Sequence, residues 1–392
     1  MKVRVTRHFM HLIACIMLLL MPLTVWAQTS SSDTLEVEDE DFVRVSLCIA
    51  SPGRIMYSAL GHACLRMECP THQLDYVFTY EADDVSQQIL DFLTGKLKMG
   101  MFRVTTDDFL KFYKEEGRGV WAYPLNLPLD MKRELWRVLD ERFHTDQDLP
   151  YDFTARGCAK VCFECIHQAL NGTEMRFTAW PEHLNETRRR IVYKGLSDAP
   201  WCRFIAITLG GIEKIKNQQP ADKIVIPKDL VAVLQSTEID NRIVIKDAPV
   251  ELVKPSATKA EPSLFDWLTP VVLGGILLAL SLFNWYLRWF PLNLLLLALQ
   301  TLAGLVMLYL VGFSGLPNME WSWLLIPFNP LPALTWRWRK QTYPIVAAII
   351  LIWCIAIALY PEHYADWAHI LMALAVAVTL WNTASPLEKK QK

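Results

Sequence analysis

The sequence predicts a globular domain of mixed strands and helices, exported from the cytoplasm and followed by five apolar helices in a membrane. Three observations carry that reading: a secretory start, a change of composition near residue 264, and the division of Lys and Arg among the loops that follow. Each is justified in order along the chain.

Residues 1–27 read as a signal peptide. Lys2, Arg4 and Arg7 form the basic start, "LIACIMLLLMPLTVW" is the apolar stretch, and Val25-Trp26-Ala27 offers a small-residue cleavage site. "LIAC" at 12–15 matches a lipobox in letters, but almost no apolar run precedes Cys15. An uncleaved anchor is the other reading. Residues 28–41, with Asp33, Glu36, Glu38, Asp39, Glu40 and Asp41, make an acidic, disordered lead.

Residues 42–245 form ordinary globular sequence, long enough for one domain with its own core. A Pro-rich charged linker, 246–263, separates it from the nearly all-apolar 264–385, and 386–392 is a short tail. The net charge is −2 and no basic stripe is present, which gives no support for nucleic-acid binding. The expected spans are 265–287, 291–313, 321–336, 343–360 and 366–384, most near the ~20 residues a bilayer needs. The third carries Pro327, Pro330 and Pro332 and is expected to be kinked or re-entrant. If the globular domain is periplasmic, Arg288, Arg337, Arg339, Lys340, Lys389, Lys390 and Lys392 all fall on the cytoplasmic side. The outer loops "SGLPNME" and "PEHYAD" hold no Lys or Arg. That asymmetry fits five crossings and a cytoplasmic C-terminus.

"GCAKVCFEC" (157–165) places Cys158, Cys162 and Cys165 at the spacing of a radical-SAM cluster. An oxidising compartment disfavours that chemistry, and Glu164 stands where such sites want an aromatic residue. Setting aside Cys15 and Cys354, seven cysteines remain: Cys48, Cys64, Cys69, Cys158, Cys162, Cys165 and Cys202. Seven is odd, so at least one thiol stays unpaired, and the expectation is that Cys158 does while most others pair. A helix over 159–170 puts Cys158, Cys162, Cys165 and Ala169 on one apolar stripe, where Cys162 and Cys165 read as small buried residues. Zinc would need a nearby His, and His167 points off the stripe.

Cys158 differs because it opens the helix. Free N–H groups, the helix dipole and nearby Arg156 would favour thiolate and lower its pKa, and the same N–H groups could hold an oxyanion. A nucleophilic Cys needs a base, and His62, at the start of the strand "ACLRME", is the best candidate. "LDYVFTYEA" (74–82) reads as that strand's hairpin partner. A lone His at a strand start is otherwise more often structural.

The order "GHACLR", "YVFTYEA", "EEGRGVWAYPLNLP", "YDFTARGCAKVC", then "GGIEKIKNQQPADKIVIPKDL" and a five-span tail, resembles the Lnb-type lipoprotein N-acyltransferases of Bacteroidota across about residues 42–385. The resemblance implies an α+β papain-like domain, a permuted NlpC/P60 fold in which the His strand precedes the Cys helix. It implies Cys158 as nucleophile and His62 as base, with no metal or cofactor. The family usually has Asn before the Cys, where this chain has Gly157. Tyr80 is the choice for orienting His62, with Tyr57 and Glu81 behind it; a core aromatic is the alternative for Tyr80. Arg118 would hold a phosphate head group, or else form a surface salt bridge.

The implied reaction moves a fatty acyl chain from a membrane phospholipid, through a Cys158 thioester, to the α-amine of a diacylated apolipoprotein at the bacterial inner membrane. The rivals are a membrane-tethered NlpC/P60-like peptidoglycan endopeptidase and a non-catalytic lipoprotein-binding module.

Overall fold

The computed structural model describes residues 42–82, 88–150, 152, 156–211, 219–256, 264–360 and 365–384. The expected signal peptide (1–27), acidic lead (28–41) and tail (386–392) lie outside them.

The expected hairpin forms. Alternating residues build β1 (Arg44–Ala50), β2 (His62–Cys69) and β3 (Leu74–Glu81), antiparallel in that order, with Cys48 opposite Cys64 and Cys64 opposite Thr79. A helix α1 (Ile89–Thr94), β4 (Lys98–Thr105), α2 (Thr106–Glu115), β5 (Val120–Pro124), α3 (Leu129–Thr145) and β6 (Leu149–Pro150) follow. Next come α4 (Cys158–Gln168), β7 (Met175–Phe177), α5 (Arg188–Gly195), α6 (Pro200–Leu209), α7 (Pro227–Gln235), β8 (Thr237–Ile239), β9 (Arg242–Ile243) and β10 (Val250–Val253). The main sheet runs β10-β5-β1-β2-β3-β4-β6, with antiparallel neighbours throughout, and β7-β8-β9 form a small second sheet.

Period-2 side chains give the main sheet two apolar faces. Cys48, Cys64, Val77 and Val120 pack under Phe109 and Tyr113 of α2. Leu47, Leu65, Phe78 and Tyr80, of the opposite parity, are buried on the other face, and α4 packs against β2 and β3. β10 corrects the expected linker: "VELV" lies within 246–263, yet it pairs with β5 as the edge strand. Residues 257–263 lie outside those described.

After a short α8 (Leu264–Trp267), four helices among the described residues are long and apolar enough to cross a membrane: α9 (Pro270–Leu287), α10 (Phe290–Phe313), the span Trp336–Leu359, which contains α12 (Arg339–Leu359), and α13 (Trp367–Ala384). The third expected span is not a helix. Between α10 and α12 the chain makes short 3-10 turns at Met319–Trp321, Trp323–Leu325 and Trp336–Trp338, and one helical turn, α11 (Leu331–Leu334). Pro327, Pro330 and Pro332 supply no N–H and clash with the preceding turn, so a continuous helix cannot form.

This broken stretch still runs the length of the bundle. It starts beside the sheet domain, where Gly315 N–H donates to Thr94 O at 2.7 Å, and ends where Trp336 meets Phe290 at the opposite end of α10. Two of its carbonyls are taken by neighbours: Asn329 O by Gln300 Nε2 (3.0 Å) and Pro332 O by Tyr343 Oη (2.6 Å). Irregular backbone at that depth requires such partners.

The sheet domain sits directly on the bundle. Gly95 (φ +71°) and Gly315 meet backbone to backbone, and a Cβ on Gly315 would lie 2.7 Å from Gly95 O. Arg203 Nε donates to Asp366 Oδ2 at 2.6 Å, and Asp366 in turn accepts from Ala368 N–H at the start of α13. Phe204 stacks on His369 at 4.3 Å, and Leu209 belongs to the bundle's own apolar core.

Candidate active site

The site forms at the end of the sheet where β2 begins and β3 ends. Gly61 (φ +88°) turns the chain into β2; a Cβ there would lie 2.8 Å from Ala50 O. The β2–β3 pairing stops at Cys64↔Thr79, and the parted strands admit the first turn of α4. Gly157 is the N-cap of α4 and contributes no side-chain bond, so Cys158 enters the helix with its first N–H groups uncapped. The Cys158 sulfur is half-buried and within hydrogen-bond reach of the N–H groups of Ala63, Ala159 and Cys158 itself.

Those three dipoles favour thiolate, but burial outweighs them and pushes the thiol above its ordinary 9.0. His62 moves the other way: burial, then the positive Arg118, hold it at about 4. The resting pair is therefore a neutral thiol and a neutral imidazole. The expected low-pKa thiolate is not found, because a site closed enough to shelter the sulfur also strips its water.

His62 and Cys158 line the same cavity, of about 440 Å³, within the range of small-molecule sites. They are not hydrogen-bonded to each other. His62 Nε2 instead meets Thr79 Oγ1 at 2.6 Å, which leaves Nδ1 as the ring nitrogen available to a reacting group. Tyr80, expected to orient His62, does not reach it. Strand alternation explains why: His62 shares a face with Cys64, Cys64 opposes Thr79, and Tyr80 faces the other way. The Tyr80 hydroxyl is buried without a hydrogen-bond partner, and Arg156 lies 5.9 Å over its ring. Tyr57 and Glu81, the reserve choices, also line the cavity.

Arg118 is brought to the site, but not as a surface residue. It is 6 % exposed and donates from Nε to Ser51 O (2.8 Å) and from Nη1 to Glu116 (2.9 Å). Its guanidinium covers Tyr113 at 4.7 Å, and Nη2 is buried without a partner. Thr79 and the Ala63 N–H were missed by reading the sequence. The period-2 pattern of "YVFTYE" carried the signal for Thr79; the parting of β2 from β3 left none for Ala63.

All eight described cysteines are free thiols, so the expected disulfides are absent among the described residues, although Cys48 and Cys64 stand directly opposite each other. Cys162 and Cys165 are buried in the core, as their stripe implied. No group of three or more His, Cys, Asp or Glu residues is placed to hold a metal among the described residues.

The fold defines a sheet domain with one sheltered, half-accessible thiol, fixed to the end of an apolar helix bundle. Residues 34–190 match the family described as the Lnb N-terminal periplasmic domain, and among the described residues four helices suited to a membrane follow in the chain. No curated protein and no solved structure matches the chain.

Proposed function

We propose that the chain is a lipoprotein N-acyltransferase of the bacterial inner membrane, with a permuted papain-like catalytic domain in the periplasm and its C-terminus in the cytoplasm. The observation that carries this reading is the Cys158 sulfur: it lies within reach of two backbone N–H groups at a helix start and a third, of Ala63, on β2, inside a largely apolar cavity built against the bundle end. The Lnb-type domain supports the same assignment.

In the first half-reaction Cys158 attacks the ester carbonyl of a phospholipid as His62 Nδ1 takes the thiol proton. The S–C bond forms, the C–O bond breaks, and the proton passes to the departing lysophospholipid alkoxide. Because the resting pair is neutral, proton transfer accompanies attack rather than preceding it. The N–H groups at the helix start stabilise the oxyanion as it develops. In the second half-reaction the neutral α-amine of a diacylated apolipoprotein attacks the thioester. An amide forms, the S–C bond breaks, and the amine proton returns through His62 to sulfur. Thr79 orients His62. The unpartnered Nη2 of Arg118 suits the donor phosphate, and Tyr80 Oη is a second polar group available to substrate.

The test is intact mass spectrometry of the full-length protein with phospholipid. Cys158 should gain the mass of one acyl chain as lysophospholipid appears, and a diacylated lipopeptide should then become N-acylated. Cys158→Ala should abolish both. Triacylated product from Cys158→Ala, or cleavage of muropeptides by the wild type, overturns the assignment.

A further inference from the structure

The cavity has a polar end at Cys158, His62 and Arg118 and an apolar wall that includes Phe92, Met99 and Phe112. Phe92 belongs to α1, and its ring also packs against the apolar core of the bundle. At the next turn of chain, Gly95 is pressed onto Gly315, two residues past the end of α10. The apolar wall of the cavity is therefore continuous, through α1, with the apolar surface of the helices that cross the membrane.

Around this wall, side chains that a water-soluble domain would bury stand open. Leu90 is 76 % exposed and Leu93 37 %, both on α1; Ile55 (49 %) and Tyr57 (48 %) lie in the turn before Gly61, and Phe112 (48 %) lies on α2. Tyr57 and Phe112 line the cavity itself, while Ile55 adjoins the lining residue Met56 in the chain and Leu90 and Leu93 flank the lining residue Phe92 on α1. Single exposed apolar residues need no explanation, but a cluster around a cavity mouth marks an interaction surface.

We infer that Ile55, Tyr57, Leu90, Leu93 and Phe112 form a collar immersed in the lipid leaflet that surrounds the domain-side ends of α9, α10 and α13, and that an acyl chain enters the cavity sideways through it. The occupant is a leaflet of phospholipid because α1 is held by backbone contact at the end of the apolar helices, where that leaflet begins. Entry of a donor chain rests on the proposed function; immersion of the collar does not. Sideways entry keeps the chain in hydrocarbon until it meets the Phe92 wall, so the ester can reach Cys158 without the chain crossing water.

The test uses full-length protein in phosphatidylethanolamine–phosphatidylglycerol vesicles, with Cys158→Ala as background because the other described cysteines are buried. Nitroxides are placed singly through Ile55→Cys, Leu90→Cys and Leu93→Cys, with Arg137→Cys on the charged face of α3 as the aqueous reference. Relaxation of the three collar labels should be dominated by oxygen, and that of the Arg137 label by a water-soluble nickel complex. Nickel-dominated relaxation at all three collar positions overturns the inference. So does dipolar broadening between copies, which would make the collar a contact with a second chain. In a second arm, Leu90→Asp and Ile55→Asp in the Cys158 protein should slow acyl loading from vesicles about tenfold. Loading from a soluble short-chain ester should be unchanged. Equal slowing with both donors would remove sideways entry. Oxygen-dominated labels with no acyl loading from any donor would leave the collar standing and refute the acyltransferase reading.

Discussion

Alkylation of Cys158 as a function of pH tests the electrostatics of the site directly. With His62 held at about 4, its protonated fraction at pH 7 is on the order of one part in a thousand. An imidazolium is therefore not present to stabilise a thiolate, and burial has already moved the thiol above 9.0. Thiolate is therefore a minor form of Cys158 at pH 7, rarer than for an ordinary thiol. The rate with iodoacetamide should rise about tenfold per pH unit from 6 to 8, with no plateau below pH 9, because only the thiolate reacts. Peptide mapping isolates Cys158 from the buried cysteines. His62→Ala should change the profile little, since the two side chains are not bonded. A plateau from about pH 5 to 8 that collapses in His62→Ala would refute this account and restore an ion pair of the kind the helix position alone suggested.

Thr79→Val removes the hydroxyl from His62 Nε2 and should lower acyl loading about tenfold with Thr79→Ser largely restoring it, whereas Tyr80→Phe should leave thermal stability unchanged or raised, because its hydroxyl has no partner to lose. His62 contributes a pH dependence of known sign: its folded pKa of about 4 lies below the ordinary 6.5, so the unfolded chain binds the extra proton between these values. Stability should fall as pH drops from 6.5 to 4, by about 2 kcal/mol allowing for partial exposure, and His62→Gln should flatten the loss in denaturation at matched pH. Gln300→Leu leaves Asn329 O without its donor and should cost about 0.5–2 kcal/mol, read as a lower unfolding temperature in detergent.

What the sequence showed and what it hid divide along the range of the interactions. The β2–β3 hairpin, the helix start at Cys158 and the four long spans rest on periodicity and hydropathy within short windows, and all were legible. So was the difficulty of the third span, from its three prolines. What answers that difficulty, Gln300 and Tyr343, lies on other helices and left no local mark. Thr79 in place of Tyr80 needed the β2–β3 register. "VELV" was masked by its Pro-rich, charged surroundings and reads as a strand only once β5 offers an edge. The pKa values were misjudged because the helix dipole can be read from position, whereas burial depends on the whole fold around Cys158.

The broken stretch between α10 and α12 also constrains how the chain enters the membrane. Its freed carbonyls would each cost several kcal/mol if presented to lipid, so it cannot partition out of the translocation machinery alone as a helix can. Gln300 precedes it in synthesis, but Tyr343 follows it. The stretch must therefore remain sheltered until α12 has emerged, and the two should enter together as one unit against α10. The bond between Arg203 and Asp366, which follows α12 in the chain, can then form only after that unit is in place.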